Sequence, residues 1–145
     1  MGNLAKEINS KFSSNRIKAL LNILYTANWI SSRQIEYLKS YDVSPQQYNI
    51  LRILRGADGP LNVNTIKERM IERSPNTTRL MDKLCAKHLI ERLTSENDRR
   101  IVKIKLTAQG EDLLKAIPDD FNTDLLKNLT EEEAEQLSEL LDKMR

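Results

Sequence analysis

The sequence predicts a mainly α-helical domain that carries one small β-ribbon. Two observations predict it. Leu and Ile recur at helical spacing behind strong capping signals, and the period changes to two only once, over residues 89–106. At 145 residues the chain is about one domain long, so a single domain spanning 1–145 is expected.

The elements follow in order. From Leu4 to Ser40 no Pro or Gly intervenes, and Ile17, Leu20, Leu21, Leu24, Ala27, Ile35 and Leu38 share one helical face. A helix of that length is too long and too thinly apolar to bury itself in so small a domain. A second copy of the chain is the simplest cover for it. Ser44-Pro45-Gln46-Gln47 combines an N-cap, an N1 proline and an N3 glutamine, which starts a helix to about Arg55. Its inward residues are Tyr48, Leu51, Ile53 and Leu54. Gly56–Pro60 stops it. Asn62 caps a short helix to about Arg73, and Ser74-Pro75 caps another from Asn76 to about Lys87, with Leu80, Met81, Leu84 and Cys85 inward.

Leu89–Thr94 and Ile101–Leu106 then read as two strands, the second alternating Val102, Ile104 and Leu106 with Lys103 and Lys105. Ser95–Arg100 is the polar loop between them. Thr107 caps a helix ended by Pro118. Thr130-x-x-Glu133 is a capping box that opens a last helix, with Ala134, Leu137, Leu140, Leu141 and Met144 on one side.

Composition excludes several classes. No apolar run approaches the roughly 18 residues of a membrane span, and the start M-G-N-L-A-K-E-I-N-S shows no secretory signal. One Cys and one His exclude a disulfide framework and multi-thiolate or paired-His metal sites. A cytoplasmic protein without metal or cofactor is therefore expected. No nucleophile–base set or phosphate-cradling glycine loop is visible, so an enzyme is not expected. The net charge of +2 conceals a division: residues 1–106 carry 19 Lys/Arg against 10 Asp/Glu, and residues 107–145 carry 4 against 11. A basic body with an acidic tail points to an anionic partner for one region only.

The order helix, short helix, capped helix, strand, basic hairpin, strand outlines a winged helix-turn-helix over residues 44–107. The second helix of such a pair fits a major groove, and its first turn offers side chains to base edges and free N–H groups to phosphate. Here that turn is Ser74, Pro75, Asn76, Thr77, Thr78 and Arg79, with Lys83 one turn further on. Asn can pair with adenine, and Thr can present a hydroxyl, or its methyl to thymine. Asp98, Arg99 and Arg100 lie at the hairpin tip, where arginine on a narrow loop can enter a minor groove. Arg99, Lys103 and Lys105 are phosphate candidates by charge and position.

Three stretches resemble the MarR-type transcriptional regulators: Thr78-Arg79-Leu80-Met81-Asp82-Lys83-Leu84, Leu89-Ile90-Glu91-Arg92, and Asp98-x-Arg100 followed after five residues by Leu106-Thr107-x-x-Gly110. They cover about residues 74–110, and the flanking helices fit the family outline. The resemblance implies a homodimer on a roughly palindromic duplex DNA operator, with residues 1–40 and 108–145 forming the dimer helices. It assigns Arg79, Asp98 and Arg100 to the DNA interface, and Asp82 to the support of a wing arginine. It also suggests a repressor released by a small apolar or aromatic effector, with Tyr25, Trp29 and Tyr37 as pocket candidates or as interface packing. A winged-helix module that binds protein instead of DNA is the alternative. One departure stands out: His88 occupies the place where the family has a helix-ending Gly. His tolerates the left-handed conformation better than most residues, so the turn is expected to survive. Cys85 reads as a small buried hydrophobe.

Overall fold

Ser44, Asn62, Thr107 and Thr130 all act as N-caps in the computed structural model, which describes residues 1–145. The chain divides into two compact units, Met1–Tyr37 and Leu38–Arg145.

The first unit holds a short helix α1 (Leu4–Glu7) and most of a long helix α2 (Asn15–Leu38). The single helix expected over residues 4–40 is thus interrupted. Asn9 adopts a left-handed φ of 48°, which ends α1, and the Ser14 hydroxyl accepts the Ile17 N–H at 3.2 Å, which restarts the chain as α2. Neither break involves Gly or Pro. At 1.5 Å per residue, the 24 residues of α2 make a rod about 36 Å long. Ile17, Leu20, Leu24, Tyr25, Trp29 and Ile35 on it are exposed.

The second unit runs α3 (Pro45–Arg55), β1 (Leu61–Asn62), α4 (Val63–Arg69), α5 (Thr77–Ala86), β2 (Ile90–Thr94), β3 (Val102–Leu106), α6 (Ala108–Ala116) and α7 (Glu131–Asp142), with 3-10 turns at Lys39–Tyr41, Asp119–Phe121 and Thr123–Leu126. The Ser44 capping box closes in both directions: Ser44 Oγ accepts the Gln47 N–H at 3.1 Å, and Gln47 Oε1 accepts the Ser44 N–H at 3.0 Å. Gln47 can therefore be buried with its polar atoms satisfied.

The three strands are antiparallel in the order β1-β3-β2. Strand β1 has no signature in the sequence. Two residues have no period to detect, and the pairing of Leu61 with Ile104 crosses some forty positions. Helix α4 also stops before the expected Arg73, because Met70 turns extended at ψ 137°.

Leu38, Ile50, Leu51, Ile66, Met81, Leu84, Ile90, Ile104, Leu114 and Ile117 are at most 2% exposed and form the core of this unit, with Ile50 added to the inward residues expected on α3. Each such side chain contributes roughly 1.5–3 kcal/mol of burial free energy. Tyr48 and Phe121 meet edge to face at 5.4 Å, and Arg52 and Arg55 both reach Asp119 at 3.3 Å. These contacts hold the segment after α6 against α3. Helix α7 has no buried residue, and Leu137, Leu140 and Met144 are exposed.

Candidate nucleic-acid interface

The approach to α5 is a tight turn, not the simple cap that Ser74-Pro75 suggests. Ser74 Oγ accepts the Asn76 N–H at 3.1 Å, and the Ser74 carbonyl accepts both the N–H and the hydroxyl of Thr77, at 3.4 and 2.8 Å. The helix then starts at Thr77, two residues later than a Ser74 cap would place it. Asn76 holds the cap position but makes no side-chain capping bond, which leaves its amide for other partners. Pro75, Asn76, Thr78, Arg79 and Lys83 are exposed, and Ser74 is half-buried.

Thr77 differs from its neighbours. It is 1% exposed, and its hydroxyl lies between the Ser74 carbonyl and Met70 Sδ. It fixes the turn and cannot reach a groove, which corrects its place among the candidate DNA contacts. The signal was present in the sequence: Thr77 lies four residues before Met81, on the inward face of the helix.

Helix α5 ends at His88. The His88 N–H bonds the Cys85 carbonyl at 2.9 Å, the Leu89 N–H bonds the Leu84 carbonyl at 3.0 Å, and His88 has a φ of 58°. This is the Schellman arrangement, with histidine in the position that usually needs glycine. Cys85 is half-buried and packs against the core, in keeping with a small hydrophobe. The same junction anchors α6. The Leu89 carbonyl accepts the Thr107 N–H at 3.1 Å, and the Thr107 hydroxyl donates to the His88 carbonyl at 2.6 Å and accepts the Gly110 N–H at 3.0 Å. A Cβ on Gly110 would lie 2.2 Å from the Leu89 oxygen. The Leu-Thr-x-x-Gly spacing thus has a steric cause.

The wing is β2, β3 and the loop between them. The Arg100 N–H donates to Asp98 Oδ1 at 2.9 Å, and the Ile101 N–H donates to the Asp98 carbonyl at 3.1 Å. Asp98 therefore shapes the tip on which Arg99 and Arg100 stand. Arg99 and Arg100 are exposed, and neither is engaged in an ion pair. Lys103 and Lys105 are both exposed on β3, but Lys105 faces Glu91 across the ladder while Lys103 faces Leu93. Lys105 is thus the weaker phosphate candidate.

Asp82 has the partner type expected of it. The residue is Arg92, the last of the Leu89-Ile90-Glu91-Arg92 stretch on β2, and not a tip arginine. The Arg92 guanidinium donates to Asp82 Oδ1, and that bond raises the already high pKa of Arg92. Arg92 shares a strand face with Ile90, and so turns toward α5.

Within the first unit, Gly2, Leu4, Glu7, Asn22, Tyr25, Thr26 and Trp29 line an open cleft of about 330 Å³. The Tyr25 phenol pKa is raised by its hydrogen bond with Glu7. Tyr37 is not among the lining residues. No helix is long and apolar enough to cross a membrane.

A turn-linked helix pair, with a short strand ahead of it and a β-hairpin after it, defines a winged helix-turn-helix protein. Known proteins agree. The model of the MarR family matches residues 43–102. The multiple antibiotic resistance protein MarR of Escherichia coli is 32% identical over 135 residues, which cover 90% of this chain and 93% of that one. The HTH-type transcriptional regulator SarZ of Staphylococcus epidermidis is 31% identical over 117 residues, 77% and 78% of the two chains. Among solved structures, a serine-for-cysteine mutant of E. coli MarR complexed with operator DNA superposes with a TM-score of 0.75 at 27% identity, covering 99% of both chains. The S. aureus MepR–DNA complex gives 0.73 at 27% identity, covering 92% of this chain and 97% of that one. The chain belongs to the MarR family and is a winged-helix transcriptional regulator.

Proposed function

We propose that the protein is a homodimeric repressor that binds a pseudo-palindromic site in double-stranded DNA and leaves it when a small apolar or aromatic effector binds. It acts by binding, not by catalysis. The observation that carries the reading is one arrangement of side chains. Asn76, Thr78 and Arg79 stand exposed on the first turn of α5, and Arg99 and Arg100 stand exposed at the tip of a wing whose strand β2 is tied to that helix through Asp82 and Arg92. The first set suits base edges in a major groove, and the second suits the negative potential of a minor groove. The solved structures of MarR and MepR with DNA support the same use.

The exposed apolar side chains of α2 and α7 support the dimer, since a free chain would present them to water. A second copy also supplies the second reading helix, about 34 Å away or a multiple of that distance. The cleft lined by Tyr25 and Trp29 is the candidate effector site. An effector would act by shifting the separation of the two reading helices.

Selection of sites from random duplex DNA tests the reading. An inverted repeat bound with a steep salt dependence supports it, because each neutralised phosphate releases counterions. Arg100→Ala should weaken that binding severely and leave the fold and dimer intact. Weak binding to every duplex, flat between low and moderate salt, would favour a protein-binding module instead.

A further inference from the structure

Ile71 is 91% exposed, more than any other large hydrophobic residue except the N-terminal Met1. It lies in the link between α4 and the Ser74 turn, just after the buried Met70. The link is fixed from behind by α3. Asn49 Oδ1 accepts the Ile71 N–H at 3.1 Å, and Gln46 Nε2 donates to Glu72 Oε2 at 2.9 Å. The exposed cations Arg69 and Arg73 stand two residues to either side.

An apolar side chain is therefore displayed on a fixed backbone between two positive charges, with the one adjacent carboxylate, Glu72, drawn to Gln46 of α3, at the entrance to the reading turn. Isoleucine is stiff at χ1, so it loses little freedom on contact. The surface that matches this pattern is duplex DNA, where phosphates flank a groove whose one apolar base group is the C5-methyl of thymine. The core of a protein interface is instead depleted of charge. We propose that Ile71 is a specificity-determining residue, which packs on the methyl group of a thymine at the edge of each half-site, with Arg69 and Arg73 on the neighbouring phosphates. This rests on the DNA-binding reading above.

The test uses the full chain and a duplex chosen by the selection experiment. Each thymine is replaced in turn by deoxyuridine, which removes only the methyl, and affinity is read by fluorescence anisotropy. The expected result is a loss of about fourfold per substituted half-site at one thymine position, the scale of one buried methyl. Ile71→Ala should bind the thymine duplex more weakly and no longer distinguish it from the deoxyuridine duplex. Its melting temperature should match that of the parent, since the side chain is exposed. Equal binding of all the deoxyuridine duplexes by the parent protein overturns the proposal, as does a half-site without thymine. So does discrimination that persists in Ile71→Ala, which would place the methyl contact on another residue. Absence of selective binding to any duplex overturns both this proposal and the reading beneath it. The other failures leave that reading standing.

Discussion

The Asp82 carboxylate of α5 accepts a hydrogen bond from the Arg92 guanidinium of β2, and this pair joins α5 to the wing. The side chains are 58% and 39% exposed, so the pair adds little to overall stability, within about 1 kcal/mol. Its effect should fall on function. Asp82→Asn should lower DNA affinity by about tenfold, the scale of ordering one residue of a released wing at about 1–2 kcal/mol. Anisotropy and thermal unfolding on the same sample check this. A large drop in melting temperature with unchanged affinity would make the pair structural only.

The two wing lysines should behave differently. Lys103 faces Leu93, and Lys105 faces Glu91, an opposite charge in the directly opposed cross-strand position. Lys103→Ala should reduce the slope of log affinity against log salt by about 0.9, the value for one phosphate contact. Lys105→Ala should change it less. Salt titrations of the two variants decide the order, and equal slopes would remove the role given to Glu91.

Thr77→Val should destabilise the fold by about 1 kcal/mol, because the Ser74 carbonyl loses the hydroxyl that donates to it. Urea unfolding measures this. If Thr77 read bases directly, the variant would instead keep its stability and change its preferred sequence.

The junction after α5 offers a pair of opposite effects. His88→Gly should stabilise the protein by up to about 1 kcal/mol, since φ 58° carries a penalty for any residue with a Cβ. Gly110→Ala should destabilise it by about 1–3 kcal/mol, since the new methyl overlaps the Leu89 carbonyl. Denaturation curves of the two variants should move in opposite directions.

Much of this architecture was legible because it is local. The Ser44-Pro45-Gln47 start of α3, the Thr130–Glu133 box and the left-handed turn at His88 each depend on residues within one helical turn. What escaped depends on partners distant in sequence or on weak breakers. Strand β1 exists only because Leu61 finds Ile104. The break before α2 rests on Asn9 and Ser14, which helices also tolerate in their interiors. In the site, the exposed cations followed from composition and period. The link from Asp82 to Arg92 did not, because a strand residue ten positions away has no fixed bearing on a helix until the hairpin is placed.

The carbonyl of Leu89 has a consequence for switching. It receives Thr107, it is closely backed by Gly110, and it sits where α5 hands over to β2. Helix, the foot of the wing and α6 are thus riveted at one point, like a caliper whose jaws are welded at a fixed gape. Such a tool can be lifted from its workpiece or turned, but its opening cannot be adjusted. In the proposed dimer, a signal arriving from elsewhere would have to reposition each head whole, so that the two heads would either both fit the operator spacing or lose it together.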